Sequence, residues 1–200
     1  MSAGQVCRRT ARILVFWGCA GLLTACAGLS GVWTGANLLY DRHSWYKKFD
    51  DFQLRATAAR LLYHDKQLKP ALRAVEVAAF NGDLLVAGHV ALRRERDGLY
   101  ARIQASHLTY RRLFRYVTVA SSEANQFLDA WITSQIISQA LLDVTIDPHA
   151  FKVVTVDQVV YLMGDMLPYQ AKQLIAVARN TSDVRYVVKL LKYYHLTDEI

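Results

Sequence analysis

Two segments of this chain repeat each other, and that repeat restricts the fold more than any other feature. AVEVAAFNGDLLVAGHV (74–90) and KVVTVDQVVYLMGDM (152–166) both read as an alternating strand, a two-residue polar turn and a second apolar strand with a glycine near its end. Asn81-Gly82 is a strong signal for a type I′ hairpin turn. Asp157-Gln158 holds the equivalent place with poorer chemistry, because glutamine disfavours the positive φ that glycine adopts freely. Gly88 and Gly164 close the two hairpins at matching positions.

The flanking segments extend the match. Before the first hairpin, Leu54, Ala58, Leu61 and Leu62 recur at helical spacing; before the second, Ile132, Ile136, Gln139 and Ala140 hold those places, with Ile137 and Leu141 widening the stripe. Asp51 and Asp129 stand at matching helix starts, where a carboxylate suits the helix dipole. Lys69-Pro70 and Asp147-Pro148 break the chain after each helix. A second helix follows each hairpin. Pro168 suits a first helical turn, and Ala171, Leu174, Ile175 and Ala178 share one face of that helix. A last strand closes each copy, RRLFRYVTV (111–119) and VRYVVKLL (184–191), aligned on the shared Arg-Tyr-Val at 115–117 and 185–187. The fold class expected is α+β: two tandem α-β-β-α-β units, 47–119 and 125–195, each with two helices on one face of a small three-stranded mixed sheet.

The amino end reads as an export signal. Arg8, Arg9 and Arg12 precede an eleven-residue apolar block, Ile13–Leu23, the size of a signal-peptide core and shorter than an ordinary membrane span. Leu23-Thr24-Ala25-Cys26 then looks like a lipobox, whose cysteine is acylated and becomes the mature first residue. Residues 1–25 are thus expected to be a lipoprotein signal peptide, and 26–46 a lipidated tether containing glycines 28, 31 and 35. The alternative is an uncleaved span, since no charge interrupts Ile13–Tyr40. Cleavage removes three arginines and no acid, which lowers the formal charge from +7 to +4. It also leaves Cys26 as the one remaining cysteine, so the mature chain has no disulfide.

The sequence carries no Gly-x-Ser-x-Gly, His-Glu-x-x-His or P-loop motif and no clustered Cys/His set, so no catalysis, metal or cofactor is expected. The six histidines are dispersed. Charge is uneven: residues 47–119 hold 14 Lys/Arg against 7 Asp/Glu, and residues 127–200 hold 6 against 8. The excess gathers at Arg93, Arg94, Arg96, Arg102, Arg111, Arg112 and Arg115. This is either a solvated face balanced by Glu95 and Asp97 or a surface for an anionic partner such as phospholipid headgroups. An exported protein would rarely meet nucleic acid, which is set aside as a partner.

Tandem units of this kind behind a lipobox resemble the BON-domain outer-membrane lipoproteins. The resemblance runs through Asp41-Arg42-His43-Ser44 with Asp50-Asp51 and through Gly82, Leu84, Val86 and Gly88. It is most specific in DAWITSQIISQALL (129–142). Gln158 and Asp183 depart from it, each standing where the family favours glycine. The resemblance implies a non-catalytic, lipid-anchored protein on the periplasmic side of the outer membrane that binds anionic phospholipid and supports envelope integrity. The alternative is a scaffold that docks envelope or outer-membrane assembly proteins. The expected lipidation site is Cys26, and the expected lipid-binding residues are Trp131, Arg111, Arg112 and Arg115. Trp131 lies on a mainly polar helix strip with Gln135, Ser138 and Leu142, where an indole can rest at a headgroup interface or cover a domain junction.

Overall fold

The structure is a computed structural model and describes residues 42–64, 71–121 and 124–194, with the side chains of 42–46 and 71 excepted. The signal peptide, Cys26, most of the tether and Lys69-Pro70 lie outside the described residues. One compact unit spans Lys47–Ile200.

In chain order the elements are α1 (Arg42–Tyr63), a short 3₁₀ turn (Ala71–Ala74), β1 (Val75–Phe80), β2 (Asp83–Val90), α2 (Arg93–Ala105) and β3 (Arg112–Val119). The second copy follows as α3 (Gln126–Leu142), β4 (Phe151–Val156), β5 (Val159–Met166), α4 (Pro168–Asn180) and β6 (Tyr186–Tyr193). Each copy forms its own three-stranded sheet, β1-β2-β3 and β4-β5-β6. The hairpins are antiparallel and share one register, with Val75 opposite Gly88 and Phe151 opposite Gly164. The third strand of each runs parallel to the second, as its helical crossover requires. The expected α-β-β-α-β order is therefore present twice.

Two details of the sequence alignment are corrected. Asp83 pairs with Arg112 and the equivalent Val159 with Tyr186, so Arg115 corresponds to Lys189 rather than to Arg185. The shared Arg-Tyr-Val is a coincidence shifted by four residues, an even slip that keeps each side chain on its face of the strand and so escapes a hydrophobicity test. Asp51 is not at a helix start, because α1 already begins at Arg42; Asp129 does lie in the first turn of α3.

Each sheet is covered on both faces. Leu54, Ala58 and Leu62 of α1 and Leu99 and Ile103 of α2 pack with Leu84 and Val86 on one side of the first sheet. Ile132, Ile136 and Ala140 of α3 and Leu174 and Ala178 of α4 do the same with Val160 and Leu162 of the second. The opposite faces meet each other: Ala78, Leu85 and Ala87 pack with Val154, Val156, Tyr161, Met163 and Leu190 in a third core. The layers run helices, sheet, sheet, helices. Burial on both faces explains why β2 reads DLLVAGHV, a near-continuous apolar run with every residue buried.

Polar pairs lock the two sheets together with a rough twofold relation. Asn81 Nδ2 donates to Asp165 Oδ2 at 3.0 Å, while His89 Nδ1 and Asp157 Oδ2 lie 2.6 Å apart. In both contacts a turn residue of one hairpin meets the residue just after the hairpin glycine of the other. Lys152 Nζ adds a bond to the carbonyl of Ala79 at 3.1 Å, and the rings of Tyr116 and Tyr161 stand 5.2 Å apart.

Candidate membrane interface

The hairpin turns fix the helices that carry the candidate residues. The Asp51 carboxylate accepts hydrogen bonds from the backbone N–H groups of Asn81 (2.7 Å) and Gly82 (2.8 Å). Asp129 repeats this with Asp157 (2.9 Å) and Gln158 (2.8 Å). All four turn residues have positive φ, from 46° at Asn81 to 77° at Gly82, as a type I′ turn requires. Gln158 is thus held where glycine would be comfortable, and the buried Asp129 carboxylate supplies charge-assisted bonds that keep it there. Asp183, at φ 66°, also adopts the conformation that glycine would take at its position. The departures from the family pattern leave the turn geometry intact.

With Asp129 pinned to the turn and Asn125 capping the N–H of Leu128 at 3.1 Å, the rotation of α3 is set. Its inward line is narrow: Ile132, Ile136 and Ala140, spaced by four. Gln139, Ile137 and Leu141, expected to share or widen that line, are exposed instead. Four-residue spacing drifts round the cylinder, and the sheet touches one edge of the helix.

The outer face is uncharged and mixes large apolar side chains with Ser134, Ser138 and Gln139. Phe127 is 83% exposed, Trp131 53%, Leu141 57% and Leu142 84%, and Val144 just beyond the helix is also exposed. The sole charged residue among the 17 of α3 is Asp129, whose carboxylate is turned inward to the hairpin. Trp131 is not among the residues of the core between the two sheets. The sequence reading found Trp131 and Leu142 but missed Phe127 and Leu141; the signal was the absence of outward charge from 126 to 142.

The three arginines part company in the structure. Arg111 and Arg112 both grip the carboxylate of Asp83, which is 3% exposed: Arg111 Nε to Oδ1 and its terminal nitrogen to Oδ2 are each 2.9 Å, and Arg112 Nε to Oδ1 is 3.0 Å. Arg111 also reaches Asp165 at 3.4 Å across the two sheets. Burial pushes the Asp83 carboxyl up, but the bonds from Arg112 and Arg111 outweigh it and hold the group below its ordinary value. These two side chains fasten the start of β3 to β2, an ion-pair role that charge counting does not reveal. Arg115 lies exposed with its guanidinium 5.3 Å from the Tyr100 ring centre. It is the member of the three best placed to meet an outside anion. Among the described residues no group of His, Cys, Asp or Glu is arranged to hold a metal ion, and no helix is long and apolar enough to cross a membrane.

Residues 128–193, which span α3 to the last residue of β6, match the BON domain family model. The second unit matches the BON domain family, and the first unit repeats its topology, hairpin register and aspartate-held turn. It is 29% identical over 156 residues to a protein named 21 kDa hemolysin from Actinobacillus pleuropneumoniae, covering 76% of this chain and 79% of that one. It is 24% identical over 187 residues to the outer membrane lipoprotein DolP of Haemophilus influenzae, covering 91% and 95%. Among solved structures, the C-terminal domain of CdsD, a structural protein of the Chlamydia trachomatis type III secretion system, aligns with a TM-score of 0.30. That alignment has 11% identity over 72% of this chain and 67% of that one, a likeness too loose to carry weight.

Proposed function

We propose that this chain is a non-catalytic envelope lipoprotein, anchored to the outer membrane through acylated Cys26 and facing the periplasm, that binds anionic phospholipid and supports envelope integrity. The BON domain and the similarity to an outer membrane lipoprotein support the compartment and class. The observation that carries lipid contact is the outer face of α3: Phe127, Trp131, Leu141 and Leu142 exposed together, with no outward charge to keep them in water. Such a stripe rests in the boundary of a bilayer, the indole ring inward and its N–H toward the headgroups. Domain one contributes the anionic preference through its basic face, with Arg115 the most available of the three candidate arginines.

The test is sedimentation of the 41–200 fragment, which lacks the acylation site, with phosphatidylglycerol vesicles. Trp131→Ala should weaken binding at least fivefold at unchanged thermal stability. Capture of an outer-membrane assembly protein with no vesicle binding would instead make the chain a protein-docking scaffold.

A further inference from the structure

The outer edges of β1 and β4 face a common cleft of about 590 Å³, flanked by the side of α3 that carries Ala130, Thr133 and Ile137, within the size range of small-ligand pockets. Its walls are apolar, including Val75, Ala78, Ile137 and Val154. Phe127, Trp131 and Leu142 take no part in the lining, so this site is separate from the exposed stripe of α3.

Its polar groups are unevenly matched. Glu76 is paired with Arg55 at 3.2 Å, and Asp129 is committed to the Asp157-Gln158 turn. Lys152, half-buried, has the carbonyl of Ala79 as its hydrogen-bond partner among the described residues, and Arg73 stands exposed at the rim. Burial pushes the Lys152 ammonium below its ordinary value, with Arg55 adding to this and Asp51 and Glu76 opposing it. A half-buried ammonium with one carbonyl as its hydrogen-bond partner among the described residues is a place where a bound anion relieves an electrostatic cost.

An extended peptide is a poor occupant. Carbonyls along β1 that could receive an added strand already accept side-chain donors: Val75 from Tyr63 (3.5 Å), Val77 from Arg55 (3.0 Å) and Ala79 from Lys152. We propose that the cleft binds a single-chain amphiphile with a carboxylate head, the carboxylate on Lys152 and the hydrocarbon along the Val154 and Val75 walls.

The test places the full chain in phosphatidylcholine nanodiscs, with ¹³C-labelled isoleucine and valine methyls, and titrates it with octanoate. Saturable shifts of the Ile137 and Val154 methyls are expected. Octyltrimethylammonium, with the same chain and the opposite charge, should bind at least tenfold more weakly. Lys152→Met should weaken octanoate at least tenfold. Absence of saturable shifts, or equal affinity for the two head groups, overturns the proposal. The head-group comparison needs no variant and decides the matter even if Lys152→Met fails to fold.

Discussion

The two domains share a backbone plan but spend their chemistry differently. At the helix position where domain two has Trp131, domain one has Gln53; where domain two has Leu142, domain one has His64, matched through the shared aspartates 51 and 129. At the start of the second strand, domain one buries Asp83 and answers it with Arg111 and Arg112, whereas domain two has Val159 opposite Tyr186. The basic character of the first domain is therefore partly internal compensation, and the apolar face of the second is not compensated at all. Net charge alone would send a membrane to domain one; exposed apolar surface is larger on α3, although α1 also shows Phe49, Phe52 and Tyr63 to solvent. At interfaces, burial of apolar area outweighs single surface charges, each worth up to about 1 kcal/mol and screened by salt.

The strongest way to break the equivalence is at the hairpin glycines. A Cβ on Gly88 would lie 1.9 Å from the carbonyl oxygen of Ala74, and its φ of 130° suits no other residue. On Gly164 the matching clash, with the carbonyl of Ala150, is 2.6 Å and φ is ordinary. Gly88→Ala should cost about 4 kcal/mol or prevent folding, and Gly164→Ala about 2 kcal/mol, read as shifts in urea midpoint. Equal losses would mean that the clash alone matters and the backbone conformation does not.

Removal of the turn-holding carboxylates comes next. Asp129→Ala should destabilise by about 3 kcal/mol and Asp51→Ala by about 2 kcal/mol, because Asn81-Gly82 is a good type I′ turn without help and Asp157-Gln158 is not. Amide exchange at the turn of the altered domain distinguishes local loss from global loss.

Much of this was legible in the residues. Gly82, Leu84, Val86 and Gly88 mark a hairpin by period and turn chemistry, and Leu54, Ala58 and Leu62 mark a helix by spacing. What sequence could not supply was pairing at a distance. Nothing local says that Asp83 is buried under two arginines, that His89 meets Asp157, or that the second face of each sheet is covered by the other sheet. The apolar run of β2 was the available hint of that second face, and it fits a buried strand with any covering layer. The exposure of Trp131 follows from helical phase, whereas an arginine's partner does not follow from any local pattern.

An effect confined to alkaline pH probes the junction between the domains. Tyr161 is buried where the sheets meet; burial, then Asp157 and the nearby tyrosines, push its phenol from the ordinary 10.0 up to about 12. The folded state therefore holds this proton more tightly than the unfolded chain. Its stability is full below pH 10 and falls as pH rises from 10 to 12, by roughly 1.4 kcal/mol per unit of separation. Tyr161→Phe should flatten that alkaline loss in pH-dependent unfolding. The equivalent residue in domain one is Leu85, which has no proton to lose, and the alkaline loss that remains belongs to Tyr63 and Tyr100, whose phenols burial also pushes up.

The least effect, and the sharpest comparison, is at the second turn residue. Gln158 (φ 64°) and Gly82 (φ 77°) occupy the same place with different suitability. Gln158→Gly should stabilise the protein by about 0.5 kcal/mol: relief of the left-handed strain is partly cancelled by the greater entropy of glycine in the unfolded chain. Gly82→Ala should cost about 1 kcal/mol, and it tests φ alone, since an added Cβ there meets Arg111 Cβ at an ordinary 3.7 Å. Opposite signs are expected in urea unfolding of the two variants. If Gln158→Gly destabilises instead, the glutamine side chain contributes something beyond occupying the turn, and the two hairpins are not held by the same device.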